Sequence, residues 1–252
     1  RLNADIAVGE GGFEFNSGNY VMCFEGKTIK PNASRVEIKS AEGKSGGYFH
    51  YSSAAVTFDT TRYGTENEPA EYVFHRPIKY NSSSGYSQAM NITGCGKVTY
   101  LAPVAESDMK AAVNVKDTST LAIKPGCKIT TGTITVSSGA CLAVLESGKL
   151  DLSGGTVTLQ GGANLAFNFS ARNEAPLMNF KATTSIPGGT KILVTGDKNI
   201  SLEHHDARWA IATNVSCDDV GSLILDDDSS QYVKRAKPFT LENGILYVNV
   251  LK

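Results

Sequence analysis

The residues able to do chemistry in this 252-residue chain gather in three places. Residues 202–209, LEHHDARW, bring Glu203, His204, His205, Asp206 and Arg208 close together, a composition suited to acid–base work or to a metal ion. Two adjacent histidines on a strand point to opposite faces, however. Neither His50 nor His75 is spaced to complete a ligand set with them, so the segment reads as a solvated turn. The second place is acidic: Cys217, Asp218 and Asp219, then LDDDSSQ from Leu225. Clustered carboxylates suit calcium, but the alternating Asp and Gly spacing of a calcium loop is missing, and solvated acidic turns are expected. The third is the loop-rich stretch holding Arg62, Tyr63, Glu66, Glu68, Glu71, His75 and Arg76. Glycoside hydrolysis needs two converging carboxylates, and elimination from a polysaccharide needs a base beside a cation, so a carbohydrate-active site belongs here if anywhere. Substitution at Glu66, Glu71, His75 or Arg76 would then abolish turnover while leaving the fold intact.

Other chemistry is poorly supported. There is no Gly-x-Ser-x-Gly elbow, no Walker loop and no dinucleotide fingerprint, and GEGGF at Gly9 lacks the strand, spacing and helix of a phosphate cradle. Cys23, Cys95, Cys127, Cys141 and Cys217 form no Cys-x-x-Cys pair and no cysteine–histidine cluster. They read as small core or turn residues. The Asn-x-Ser/Thr triplets at Asn32, Asn81, Asn91, Asn168 and Asn214 are expected by chance in a chain so rich in Ser and Thr. No catalytic residue, cofactor or metal is assigned.

The elements that must position any site are announced by repetition. Residues 132–144, GTITVSSGACLAV, are nearly rewritten in residues 155–167, GTVTLQGGANLAF. Both fill one template: apolar, spacer, apolar, five spacers, apolar, spacer, apolar. Ile134, Val136, Leu142 and Val144 fill it once, and Val157, Leu159, Leu165 and Phe167 again. Val113, Val115, Leu121 and Ile123 fill it earlier, as do Met90, Ile92, Val98 and Tyr100. The first positions lie 23, 21 and 23 residues apart, and a fifth copy opens at Met178, Phe180 and Ile186 before failing at Gly188. The two-residue alternation is that of strands with one buried face. The Gly- and Ser-rich spacers supply corners, and Leu150 and Leu152 mark a third strand in the return stretch. A constant period of this size means coils that bury their apolar edges only by stacking. The expectation is an all-β chain folded as a parallel β-helix rising about 4.8 Å per coil. An antiparallel β-sandwich is the alternative.

The ends depart from the template. Residues 1–89 read as an irregular β-rich, capping region, 90–190 as regular coils, and 191–252 as closing strands, all in one continuous domain. Asn243 and Gly244 sit between apolar runs as a hairpin turn would, which makes residues 241–250 a terminal cap.

The segments GTVTLQGGANLAFNFS, APLMNF, GGTKILVTG, WAIATN and NGILYVNV resemble the autotransporter-associated β-strand repeat regions of bacterial exported proteins. The resemblance covers roughly residues 89–252. It implies a right-handed parallel β-helix, export from the cytoplasm and display at the cell surface. It carries no shared catalytic motif, and five cysteines are unusual for such passengers.

With 24 Lys and Arg against 25 Asp and Glu, the chain lacks the sequence-independent attraction that nucleic-acid binding requires. No apolar run approaches the roughly 20 residues of a membrane helix. Beginning at Arg1, the chain is expected to be a mature form relieved of its targeting segment. Together these readings lead to a non-enzymatic exported or cell-surface β-solenoid, acting as a structural, adhesive or display module towards a glycan or protein partner. A polysaccharide lyase or glycoside hydrolase using the amino-terminal loops is the alternative.

Overall fold

The computed structural model describes residues 6–15, 21–23, 26–44, 48–51, 55–80, 89–102, 108–110, 112–171, 173–196 and 208–251. Strands account for nearly all of its regular structure, with one short 3-10 turn at Val220–Ser222. The strands form three sheets of seven, nine and ten, and as far as Pro176–Ser185 successive strands pass from the first to the second to the third sheet and back again. Apart from the closing hairpin, each strand therefore pairs in parallel with its counterpart one coil away, which is a β-helix. No helix among the described residues is long and apolar enough to cross a membrane.

The sequence period is the pairing register. In the first sheet Met90 pairs with Val113, Val113 with Ile134, and Ile134 with Val157. In the second sheet Val98, Leu121, Leu142 and Leu165 pair in the same order. These residues point inward and are almost completely buried, as are their partners two residues on. Leu150, on Gly148–Asp151, is buried in the third sheet and pairs with Met178. Parallel pairing of this kind excludes the antiparallel sandwich.

Corners continue the ladder. The carbonyls of Ala70, Gly96, Ser119 and Ala140 each accept the N–H of the first residue of the next second-sheet strand, at Lys97, Thr120, Cys141 and Asn164. This close approach restricts the corner column to small residues. At Gly96 a β-carbon would lie 2.0 Å from the carbonyl oxygen of Ala70, a distance no side chain can accept.

The same three sheets run back to Ile6–Val8, Phe13–Phe15 and Val21–Cys23. Ile29 and Val36, and then Phe58 and Tyr72, occupy the inward columns. What varies before residue 89 is the corner. Six residues separate Ile29 from Val36 and thirteen separate Phe58 from Tyr72, instead of the template's five. Aromatic residues fill these wider coils: Phe58 meets Tyr72 and Phe74 edge-on at centroid distances of 5.1 and 5.2 Å.

At the other end the fifth copy changes role. Met178 and Phe180 belong to Pro176–Ser185, a third-sheet strand, and the first sheet ends at Thr156–Leu159. Phe239–Glu242 and Ile245–Asn249 form an antiparallel hairpin that adds to the edge of Arg208–Ser216. Asn243 and Gly244 have φ of 51° and 75°, the paired positive values that a type I′ turn demands. The hairpin closes the edge of the third sheet instead of lying across all three.

Replacing Leu142, fully buried in the second sheet, by Ala is expected to cost about 2–5 kcal/mol of stability. Thr135→Ala, on the outer face of the neighbouring sheet, should change it by less than about 0.5 kcal/mol. Urea unfolding of the two variants checks both values.

Candidate functional site

In-register stacking places equivalent outward side chains about 4.8 Å apart, so a charge on one coil necessarily faces whatever its neighbours carry. On the second sheet Arg35 stacks on Glu71 and Glu71 on Lys97, while Glu37, Val73 and Thr99 form the adjacent column. The first column alternates in sign, and contacts follow. Arg35 donates from Nη1 to Glu71 Oε2 at 2.9 Å and from Nε to Glu37 Oε1 at 2.6 Å. Glu71 Oε1 also takes Lys97 Nζ at 3.3 Å and the Thr99 hydroxyl at 2.6 Å. The second oxygen of Glu37 shares a hydrogen bond with His75 Nε2. Lys39, on the same strand as Arg35 and Glu37, pairs at 3.4 Å with Glu14 of the preceding coil. The result is a ladder of ion pairs spanning neighbouring coils on one wall.

Desolvation alone would raise the pKa of Glu37. Hydrogen bonds from Arg35 and His75 outweigh it and hold the carboxyl below its usual range. The same pairing raises the pKa of Arg35. An acid catalyst for glycoside hydrolysis requires the opposite, a carboxyl kept protonated near neutral pH. A cleft of roughly 350 Å³ adjoins the ladder, lined by Ser34, Pro69, Ala70, Glu71, Cys95, Gly96, Lys97 and Thr120. It lies at the corner between the first and second sheets, where Glu71 and Lys97 present one charge of each sign.

Of the residues singled out in the loop-rich stretch, the fold brings Glu71 and His75 into one network through Arg35 and Glu37. Arg62 instead pairs with Glu68 at 3.0 Å within the long corner loop. Tyr63 and Glu66 are exposed on that loop, and Arg76 is buried. Arg35, Glu37, Lys97 and Thr99 were missed because corners of unequal length hide their alignment. The apolar pairs Val36/Ile38, Tyr72/Phe74 and Val98/Tyr100 were the available signal.

The other chemical clusters dissolve into local structure. Glu203, His204, His205 and Asp206 lie outside the described residues, as does the side chain of His50. Arg208 pairs with Glu242 and stacks 4.3 Å over the Tyr247 ring, fastening the terminal hairpin. Asp219 accepts the Gly221 N–H at 2.9 Å at the 3-10 turn, and Asp226 pairs with Lys191 at 2.9 Å. Among the described residues no group of three or more His, Cys, Asp or Glu is placed to hold a metal. Desolvation pushes the Cys127 and Cys141 thiols up to about 11 and about 12, which leaves them protonated and poorly nucleophilic near neutral pH. Comparison of the chain with protein-family models, curated proteins and solved structures found no match.

A folded-state pKa below the unfolded one makes Glu37 stabilising above about pH 4.5, and that contribution is lost as pH falls through the lowered value. Glu37→Gln should therefore be less stable than the native chain at neutral pH and should show a flatter loss of stability below about pH 4.5. Urea midpoints measured between neutral pH and pH 3 check the slope.

Proposed function

We propose that this chain is a non-enzymatic β-solenoid module of an exported or cell-surface protein, presenting a rigid wall to a glycan or protein partner. The observation that carries this reading is the engagement of Glu37 and Glu71 by one guanidinium, that of Arg35. Glu37, its pKa lowered by the hydrogen bonds from Arg35 and His75, is poorly placed to give a proton to a leaving group. Glu71, with three donors around it, is also poorly disposed to attack a sugar. The likeness of residues 89–252 to exported passenger repeats supports the cellular setting.

Regular stacking supports the mechanical part. Parallel coils joined by continuous backbone ladders resist bending and set a fixed spacing of about 4.8 Å between successive binding elements. The cleft beside Glu71 and Lys97 offers such a wall a polar contact point for sugar hydroxyls or for a protein surface.

The test is incubation of the purified chain with a panel of acidic and neutral polysaccharides, with and without calcium, followed by mass spectrometry of the products and by binding measurements. Binding without product, or no binding, is expected, with no effect of calcium. Product formation that disappears in Glu71→Gln would overturn the reading in favour of a carbohydrate-active enzyme.

A further inference from the structure

One coil closes with a corner longer than the solenoid needs. The regular coils turn from the first sheet to the second with five residues, whereas thirteen separate Phe58 from Tyr72. The extra residues form a small hairpin of their own. The Thr60 carbonyl accepts the Ala70 N–H at 2.8 Å, Thr61 and Pro69 form an antiparallel bridge, and Arg62 donates its N–H to the Glu68 carbonyl at 2.8 Å.

This corner hairpin is fastened from base to tip. Thr60 is fully buried, and its hydroxyl donates to the Thr93 carbonyl at 2.6 Å and accepts the Gly96 N–H at 2.9 Å. Asp59 accepts the Thr61 N–H at 2.9 Å, and Tyr63 donates its N–H to the Pro31 carbonyl of the preceding coil at 2.7 Å. Thr65 holds the Arg62 carbonyl through its N–H at 3.2 Å and its hydroxyl at 2.8 Å. The following coil leaves room for the stem: a β-carbon at Gly94 would lie 2.4 Å from the Thr61 hydroxyl and 2.8 Å from an Asp59 carboxylate oxygen. Two neighbouring coils thus accommodate a segment that adds nothing to the core, since none of residues 61–69 is buried.

What the hairpin presents is an aromatic ring among charges. Tyr63 is 58% exposed, and only Ile224 and Leu251 join it as exposed large apolar side chains among the described residues. Arg62 and Glu68 pair with each other, while Glu66 is exposed and has no ion pair among the described residues. The hairpin therefore carries two acids against one base. A loop already held by hydrogen bonds has little entropy left to lose on binding, and tyrosine supplies a large contact area with few rotatable bonds. Insertions on one face of a repeat array are also where partners are met.

We propose that the hairpin at residues 60–70 is a protein-docking element, in which Tyr63 enters a pocket on a partner protein whose rim carries Arg or Lys side chains facing Glu66 and Glu68. The ring is the anchor, and the charges steer and orient the encounter. The excess of acid suits such a rim and repels nucleic acid and anionic glycans. The inference rests on the reading above only in taking a protein as the partner. It makes no use of the ladder at Glu71, so its failure would leave a non-enzymatic wall with a glycan partner, and product formation at Glu71 would leave the hairpin untouched.

The experiment is selection of a displayed library of disulfide-closed peptides on the full chain, with no epitope chosen in advance, followed by affinity measurements of the selected peptides on substituted chains. Selected peptides are expected to be rich in Arg or Lys. Tyr63→Ala should weaken them by at least about thirtyfold, the loss of a truncated anchor. Glu66→Gln should weaken them by about threefold and reduce the dependence on salt. Thr135→Ala, on the outer face of the first sheet, should leave binding unchanged. The urea midpoint of Tyr63→Ala should match that of the native chain, because the ring is exposed. Failure to select any peptide, peptides indifferent to Tyr63→Ala, or a lowered urea midpoint accompanying the loss of binding would overturn the proposal. A glycan-array signal that vanishes in Tyr63→Ala would overturn it too, making the hairpin a sugar site.

Discussion

Every feature of this molecule depends on one constraint, the in-register parallel pairing of each coil with the next. It is enforced twice over. Apolar residues such as Leu121, Leu142 and Leu165 must fall into continuous inward columns, because a slip of one residue would expose a whole strand's apolar set. The corner carbonyls of Ala70, Gly96, Ser119 and Ala140 must also meet the next coil's N–H groups, which leaves no room for large side chains at those positions. Register and corner size are therefore coupled, and the small residues of the corner are as much part of the fold as the core.

Register also dictates the surface. When equivalent residues stack at strand spacing, like charges repel and opposite charges pair without further design. Arg35, Glu71 and Lys97 satisfy this on the amino-terminal coils, and Glu37 and His75 extend the network sideways. Further along the same sheet the outward column becomes Thr99, Ala122 and Ala143, with no charge to balance. At the ends, where stacking stops, each sheet needs its own solution. The third is closed by the Asn243–Gly244 hairpin, the second tapers to Ile224–Leu225, and the first ends at Thr156–Leu159, with residues 181–186 lying alongside.

The regular coils were legible because their corners have constant length. A fixed template found Met90 to Phe167, and those residues are the core columns of two sheets. The third sheet was less visible, since its strands vary from Gly148–Asp151 to the ten residues of Pro176–Ser185 and carry no shared spacing. The coils before residue 89 were blurred for a simple reason: a loop of thirteen residues in place of five moves Tyr72 out of phase with Phe58 without disturbing the pairing. The hairpin was readable because positive φ at two consecutive positions is chemically distinctive. The ion ladder was only half readable, because Glu71 and His75 find their partners from coils that are neighbours in space and distant in sequence. Met178 and Phe180 imitate another repeat but serve the third sheet.

The central claim is that sequence separation and spatial separation are decoupled by stacking. Outward positions Thr158, Asn91, Thr57 and Thr28 occupy one column, with Asn114 and Thr135 between the first two. The most direct measurement is a set of distances by electron spin resonance between a label at Thr158 and a second label at Asn91, Thr57 or Thr28 in turn. Stacking predicts separations near 14, 19 and 24 Å, rising by about 4.8 Å per coil although the sequence intervals differ. Distances that fail to rise in equal steps, or that follow the intervening chain length instead, would contradict the account.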